Sequence, residues 1–135
     1  RQRQMCIRDS MYYDKGNLTP VRFVEADTLH VSGSADIHIT PDGRFLYASN
    51  RLKGDGIAIF SIDPANGQLT KVGYQLTGVY PRNFVITPNG KFLLCACRDS
   101  NVVQVYEIDK QSGLLRDTEK DIRVSKPVCL KFTNR

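Results

Sequence analysis

The chain has 135 residues, enough for one ordinary domain, and its formal net charge of +5 at pH 7 is only mildly basic. It has no run of lysines and arginines interleaved with aromatic residues, so the composition does not indicate a nucleic-acid partner. No apolar stretch approaches the roughly 20 residues that a membrane-spanning helix needs, and we expect no membrane partner.

The first ten residues, R-Q-R-Q-M-C-I-R-D-S, share no pattern with the rest of the chain. Met5 to Ser10 looks like the translation of a sequencing adaptor, and such a segment has to be set aside before the fold is considered. We therefore expect residues 1–10 to be a library scar and residues 11–135 to be the folded unit.

An internal repeat organises the remainder of the chain. Residues 11–24 end one strand, turn through Asp-Lys-Gly and enter a polar outer strand. The run D-I-H-I-T-P-D-G-R-F-L-Y at residues 36–47 then returns as N-F-V-I-T-P-N-G-K-F-L-L at residues 83–94, which is a period of 47 residues. In each copy two apolar runs flank a Pro-Asp-Gly or Pro-Asn-Gly turn, the pattern of an antiparallel hairpin.

Each repeat predicts four strands, and the end of the chain predicts the beginning of a further unit. The predicted strands span 36–40, 45–49, 57–62 and 69–76, then 84–87, 92–97, 102–108 and 115–124, and finally 127–132. The runs I-A-I-F-S-I and F-L-L-C-A-C are apolar on both faces, as expected where each face packs against another sheet.

A period of this length with one hairpin per unit is typical of propeller blades. We predict an all-β fold, a partial β-propeller of about 2.5 to 3 four-stranded antiparallel blades. Closed propellers have about 4 to 8 blades. We therefore expect N-terminal blades of the same chain to be missing from this segment.

Because successive strands run in opposite directions, the loops that connect them lie alternately on the two sides of a blade. One side holds the short Asp-to-Gly turns, whose residues suit backbone geometry. The other side collects cations and amides, namely Asn50, Arg51, Lys53, Arg82, Asn83, Arg98 and Lys126. An arginine there can bind a phosphate or stabilise an oxyanion. Alternatively, these cations are solvated or pair with Asp36, Asp55 and Asp99.

His38 lies between two isoleucines on a predicted innermost strand. It is either a hydrogen-bonded core residue or a group that binds substrate or transfers a proton. Cys95 and Cys97 are two residues apart on one strand, without the histidine or second cysteine pair of a zinc site. We predict buried thiols in a reducing compartment and no metal site.

Three segments carry a family resemblance: A-D-I-H-I-T-P-D-G-R-F-L-Y-A-S-N-R at 35–51, Y-P-R-N-F at 80–84 and K-P-V-C-L-K-F at 126–132. They resemble the seven-bladed propeller lactonases, the 6-phosphogluconolactonase or cycloisomerase-2-like family. The resemblance covers residues 11–135, which correspond to the C-terminal third of a member. One departure is Leu52, where the family commonly has glycine after Asn-Arg, and another is the Cys97-Arg98 pair.

The resemblance implies a cytoplasmic hydrolase of the pentose phosphate pathway that opens 6-phospho-D-glucono-1,5-lactone to 6-phosphogluconate without a cofactor. Arg51 and Arg82 would bind the phosphate or the developing oxyanion, and His38 would orient substrate or relay a proton to water. Asn50, Asn83 and Arg98 would contact the sugar lactone. Since other site residues come from earlier blades, we expect the segment alone to be inactive.

Two other functions remain compatible with the sequence. One is a non-catalytic propeller that serves as a binding or scaffold module, because a fold does not define a function. The other is a muconate-type lactonising cycloisomerase, which would share the cationic rim. A binding module predicts a broad apolar patch on the rim, whereas a lactonase predicts a small polar pocket with converging arginine and histidine side chains.

Overall fold

The computed structural model describes residues 7–25 and 33–133, where every regular element is a β-strand. The first two strands, β1 (Ile7–Asp14) and β2 (Asn17–Glu25), form an antiparallel hairpin. The described residues contain no helix long and apolar enough to cross a membrane.

Two sheets of matching topology come next in the chain. Blade A is a four-stranded antiparallel sheet in sequence order, made of β3 (Ser34–Ile39), β4 (Phe45–Asn50), β5 (Gly56–Ile62) and β6 (Leu69–Leu76). Blade B repeats this order with β7 (Pro81–Ile86), β8 (Phe92–Cys97), β9 (Val102–Ile108), β10 (Leu115–Asp117) and β11 (Ile122–Arg123). The predicted all-β, partial propeller architecture is confirmed.

The outermost strand of blade B differs from the single strand predicted for residues 115–124. It is broken into β10 and β11, which both pair with β9. The break begins at Thr118, whose backbone N and Oγ1 both donate to the Val105 carbonyl, at 3.1 and 2.7 Å. Glu119 then has a left-handed φ of 57°. The polar residues between the two pieces therefore leave the ladder.

The strand predicted at residues 127–132 is not formed. A strand requires a ladder partner, and no described strand pairs with this segment. Leu130 instead donates its backbone N–H to the Asn83 side chain, at 2.6 Å. The segment thus lies beside the innermost strand of blade B without extending that sheet.

At the other end, β1 begins at Ile7, and Ile7–Ser10 pair with Arg22–Glu25. The division between an adaptor scar and the folded unit at residue 10 stays a prediction. Cys6 lies outside the described residues.

The core lies between the two blades and is built from the facing side of each. Blade A contributes Phe45, Tyr47, Ile57 and Ile59, and blade B contributes Phe84, Leu93, Cys95, Cys97, Val102, Tyr106, Ile108 and Leu115. Full burial of one such side chain stabilises the fold by about 1.5–3 kcal/mol. The opposite face of β4 and β5 is buried as well, which confirms the prediction of two packed faces for blade A.

Two buried tyrosines join the blades reciprocally. Tyr47 of blade A donates to the Gly113 carbonyl of blade B at 2.7 Å, and Tyr106 of blade B lies 3.4 Å from the Leu76 carbonyl of blade A. Burial raises the pKa of both hydroxyls well above the ordinary tyrosine value. Both therefore stay protonated donors, which a buried hydroxyl requires.

The repeated Thr-Pro-Asp/Asn-Gly sequence closes each inner hairpin by the same hydrogen bonds. In blade A, Thr40 Oγ1 donates to Asp42 Oδ1 at 2.6 Å, and the Phe45 N–H donates to Thr40 Oγ1 at 3.1 Å. In blade B, the corresponding distances for Thr87, Asn89 and the Phe92 N–H are 2.7 and 3.0 Å. Aspartate and asparagine are interchangeable here because only the acceptor oxygen is used.

Because this turn position is aspartate in blade A and asparagine in blade B, we predict that it makes stability depend on pH in blade A only. The hydrogen bond from Thr40 holds the pKa of Asp42 below its ordinary value of 3.8. The contribution of Asp42 to stability is therefore present above that value and lost as the pH falls through the lower folded pKa. We expect Asp42→Asn to remove part of the acid destabilisation while stability at neutral pH is kept, as measured by denaturant unfolding from pH 7 to pH 2. An unchanged pH profile would contradict this.

Candidate active site

A polar cavity of about 260 Å³ is lined by residues of both blades and of the segment after blade B. The lining consists of Ala35, Asp36, Arg51, Arg82, Asn83 and Val128. Asp36 and Asn83 lie near the start of the innermost strands, and Arg51 directly follows β4. The structure therefore brings Arg51 and Arg82 to one rim, as the repeat predicts.

Neither arginine of the cavity has a carboxylate partner in the described part of the chain. The described ion pairs are His38 with Asp36, Arg98 with Asp99 and Arg116 with Glu107. Arg82 is exposed, and the single hydrogen bond described for the Arg51 guanidinium goes to the Tyr80 hydroxyl, at 2.9 Å. Two positive charges thus face one cavity without an opposite charge in contact.

Asp36 lines the same cavity, but its oxygens are engaged elsewhere. Oδ2 accepts from Asn83 Nδ2 at 2.5 Å and from the Phe84 N–H at 3.2 Å, and it lies 3.2 Å from His38 Nε2. Oδ1 accepts from the Ile37 N–H at 2.9 Å. The carboxylate therefore joins the innermost strands of the two blades.

Asn83 extends this connection by one more repeat. Its Oδ1 accepts from the Leu130 N–H at 2.6 Å, and both steps, from Asp36 to Asn83 and from Asn83 to Leu130, span 47 residues. The base of the cavity is therefore set by equivalent positions of three successive repeats. Asn83 lies in the lining, as its predicted contact with substrate requires.

His38 reaches the cavity only through Asp36. Its ring is edge-on to Phe84, with centroids 4.9 Å apart, and its side chain is 40% exposed. It is not part of the cavity lining. Because Asp36 is an acceptor, the favoured neutral tautomer carries its proton on Nε2 and leaves the Nδ1 lone pair available.

Arg98 lies outside the cavity lining and takes the alternative arrangement considered from the sequence, pairing with Asp99. Its Nε and Nη2 donate to the two Asp99 oxygens at 2.7 and 3.2 Å. This hydrogen bonding raises the pKa of Arg98 and lowers that of Asp99. The guanidinium also lies over the Tyr80 ring, 4.0 Å from its centroid.

Asn50 is likewise outside the lining, although it is adjacent to Arg51. Its side chain is buried, with only 1% exposed. Neither its Oδ1 nor its Nδ2 has a hydrogen-bond partner among the described residues. The structure therefore separates Asn50 and Arg98 from the residues that it groups around Arg51 and Arg82.

Two residues have roles that were not predicted from the sequence. Asp36 was considered only as a possible partner of a cation, and Tyr80 was not singled out. The signal for Asp36 was available, since a hydrogen-bonding residue recurs 47 positions later as Asn83. Tyr80 carries no such signal, because its contacts are with Arg51 and Arg98, residues distant in the chain.

The predicted burial of Cys95 and Cys97 is confirmed, since both are free and fully buried, with their Sγ atoms 3.9 Å apart. The contact with Cys97, together with burial, raises the pKa of the Cys95 thiol. Cys129 is free and exposed.

Fold and cavity together define a class, a β-propeller whose innermost strands and rim loops gather cations at one end. A family described as "Lactonase, 7-bladed beta-propeller" matches residues 9–132. The chain belongs to this lactonase family, and the predicted resemblance is confirmed.

Two curated proteins named 6-phosphogluconolactonase are similar in sequence. The protein from Formosa agariphila is 48% identical over 94 residues, which cover 68% of this chain and 27% of the relative. The protein from Klebsiella pneumoniae is 40% identical over 105 residues, which cover 76% of this chain and 31% of the relative. The chain thus spans about a third of the length of these proteins.

Solved structures of similar proteins have the same fold. A Bacteroides fragilis protein provisionally named 6-phosphogluconolactonase superposes with a TM-score of 0.95 at 58% identity, over 98% of this chain and 37% of that protein. The periplasmic gluconolactonase PpgL of Pseudomonas aeruginosa superposes with a TM-score of 0.89 at 28% identity, over 98% of this chain and 38% of that protein.

Leu52 stands where the family commonly has glycine, and we predict that replacing it with glycine stabilises the protein. It follows Arg51 with a left-handed φ of 83° and a side chain 55% exposed. This conformation costs a residue other than glycine about 1–2 kcal/mol, which exceeds the greater unfolded-state entropy of glycine, about 0.5–1 kcal/mol. We expect Leu52→Gly to raise the free energy of unfolding by about 0.5 kcal/mol, measured by denaturant titration.

Lys53→Gly in the same loop is the matched control. Lys53 does not have a left-handed φ, so glycine there adds only unfolded-state entropy and should destabilise the protein. If both substitutions shifted stability in the same direction, the strain at Leu52 would not be the cause.

Proposed function

We propose that the full-length protein, meaning this segment with the additional blades that its relatives carry, is a lactonase that hydrolyses 6-phospho-D-glucono-1,5-lactone to 6-phosphogluconate. The observation that carries the proposal is the cavity lined by Arg51 and Arg82, from successive repeats, neither of which forms an ion pair with a carboxylate of the described residues. Membership of the lactonase family and the names of the relatives support the reaction class.

Lactone hydrolysis develops negative charge at a defined atom. Water attacks the ring carbonyl and the carbonyl oxygen becomes an oxyanion; the C–O bond to the ring oxygen then breaks, and one proton of the water passes to that oxygen to give the hydroxy acid. A guanidinium that is already oriented stabilises this oxyanion without reorganising. A second guanidinium can bind the phosphate bidentately. Two arginines on one cavity supply both functions, and neither requires a cofactor.

Asp36 and His38 support a further part of the mechanism. Asp36 holds the histidine through Nε2, and because His38 is not part of the described lining, we propose that it relays a proton through Asp36 and does not contact the sugar itself. Asn83, held by Asp36 and by the Leu130 N–H, offers its amide to the sugar. The other catalytic groups would come from blades outside this segment.

The polar character of the cavity favours a lactonase over a binding or scaffold module. Such a module uses a broad apolar patch, whereas this rim carries Asp36, Asn83 and two arginines around a small pocket. A muconate-type cycloisomerase would also use paired arginines, for the carboxylates of its substrate, and is tested alongside the lactone. We also propose a cytoplasmic location, supported by the free Cys95 and Cys97 thiols.

The direct test is lactone opening by the full-length protein, measured above the spontaneous rate. We expect loss of the arginine at the oxyanion to lower kcat by about 100- to 1,000-fold, the usual effect of removing such a donor. Arg51→Ala and Arg82→Ala are the test variants, and Arg116→Ala, which lies on the outer strand and pairs with Glu107, is the control. Unchanged kcat/KM in both test variants would refute the assignment, as would turnover of muconate in place of the lactone.

A second comparison distinguishes which arginine binds the phosphate and which stabilises the oxyanion. The variants are assayed with 6-phosphoglucono-1,5-lactone and with glucono-1,5-lactone, the kind of substrate that the name of PpgL indicates. Replacing an arginine that binds the phosphate should lower kcat/KM by about 10- to 100-fold for the phosphorylated lactone only, as expected for the loss of a charged hydrogen bond. Replacing an arginine that contacts the oxyanion should lower kcat/KM equally for both lactones. Equal wild-type kcat/KM for the two lactones would show that the phosphate is not recognised.

A further inference from the structure

The ring of Tyr80 contacts two arginines of different blades. The Arg98 Cζ is 4.0 Å from the ring centroid and the Arg51 Cζ is 4.9 Å from it. Arg51 also donates through Nη1 to the Tyr80 hydroxyl, at 2.9 Å. Each guanidinium over an aromatic ring is attracted by the ring quadrupole, so Tyr80 binds both cations at once.

Tyr80 itself is held firmly from both blades. Its N–H donates to Asp55 Oδ1 of blade A at 3.1 Å, and its carbonyl accepts from the Arg98 N–H of blade B at 3.0 Å. Its φ is 64°, a left-handed conformation that persists in a residue other than glycine only where the surroundings impose it. The buried Pro81 follows. The backbone from which the ring projects is therefore fixed by both blades, independently of Arg51.

This contact fixes Arg51 before any ligand binds. Nη1 is committed to Tyr80, and Nε is buried without an acceptor among the described residues. Nη2 has no described acceptor and belongs to a side chain that lines the cavity. An arginine side chain that is already immobilised loses less rotamer entropy when it binds an anion.

Arg98 makes the second cation contact with the ring. Its charge is balanced by Asp99 through two hydrogen bonds, so the ring is stacked on an ion pair. An anion in the cavity therefore meets Arg51 and Arg82, while Arg98 supports the ring that orients Arg51.

We propose that Tyr80 is a positioning residue that directs Arg51 into the cavity, and that the Arg98–Asp99 pair braces it. The inference rests on the proposed lactonase function and deepens it. It replaces the predicted contact of Arg98 with substrate by an indirect role through Tyr80.

The test is a double-mutant cycle in the full-length protein with 6-phosphoglucono-1,5-lactone. Tyr80→Phe keeps the ring and removes the acceptor for Arg51 Nη1, and we expect it to lower kcat/KM by about 3- to 10-fold, the range for one hydrogen bond. In the Arg51→Ala background the same change should have no effect, because its only route to the substrate is gone. Arg98→Gln, which weakens the brace, should follow the same pattern with a smaller loss.

Tyr106→Phe is the matched control, since its hydroxyl is buried among Gln104 and Leu76 and does not contact Arg51. It should lower the melting temperature without coupling to Arg51→Ala. If Tyr80→Phe left kcat/KM unchanged, or lowered it equally with and without Arg51, the positioning role would be wrong. If Arg51→Ala alone had no effect, the positioning role would also be wrong, whereas the proposed function fails only if Arg82→Ala has no effect as well, so the two failures are distinguishable.

Discussion

The arrangement of the cavity depends on the Asp36 carboxylate. Its Oδ2 contacts His38 of its own strand and both Asn83 and the Phe84 N–H of the next blade, while Oδ1 accepts from the Ile37 N–H. Hydrogen bonds to an ionised acceptor are about twice as strong as neutral ones. One side chain therefore sets the distance between two innermost strands and, through Asn83, the position of a third segment.

The same carboxylate explains why two arginines can remain unpaired beside an acid. A carboxylate has about four lone-pair sites, and four donors surround Asp36. Asp36 therefore lines the cavity with three donors on Oδ2 and one on Oδ1, and it forms no described ion pair with Arg51 or Arg82. The fold and the electrostatics of the site thus share one cause.

The sequence predicted those features that repeat or that depend on local chemistry. The bounds of β6, β8 and β9 agree with the predicted ranges, because alternation and turn residues act over a few positions. Arg51 and Arg82 line the same cavity because strand direction alternates. The sequence repeat also predicts this alternation. The roles of Asp36 and Tyr80 were not predicted, since they arise from contacts between blades. The burial of Asn50 and the break after β10 depend on packing and on one threonine, which periodicity does not report.

The break in the outer strand of blade B has a consequence for contacts between molecules. An outermost strand presents a row of unpaired amide and carbonyl groups on which the edge of another sheet can dock. Between Asp117 and Ile122 that row is interrupted, and the intervening Thr118, Glu119, Lys120 and Asp121 add both signs of charge. The longest uninterrupted stretch is three residues, too short to serve as a template for intermolecular association. The interruption that begins at Thr118 therefore makes this edge a poor template for another sheet.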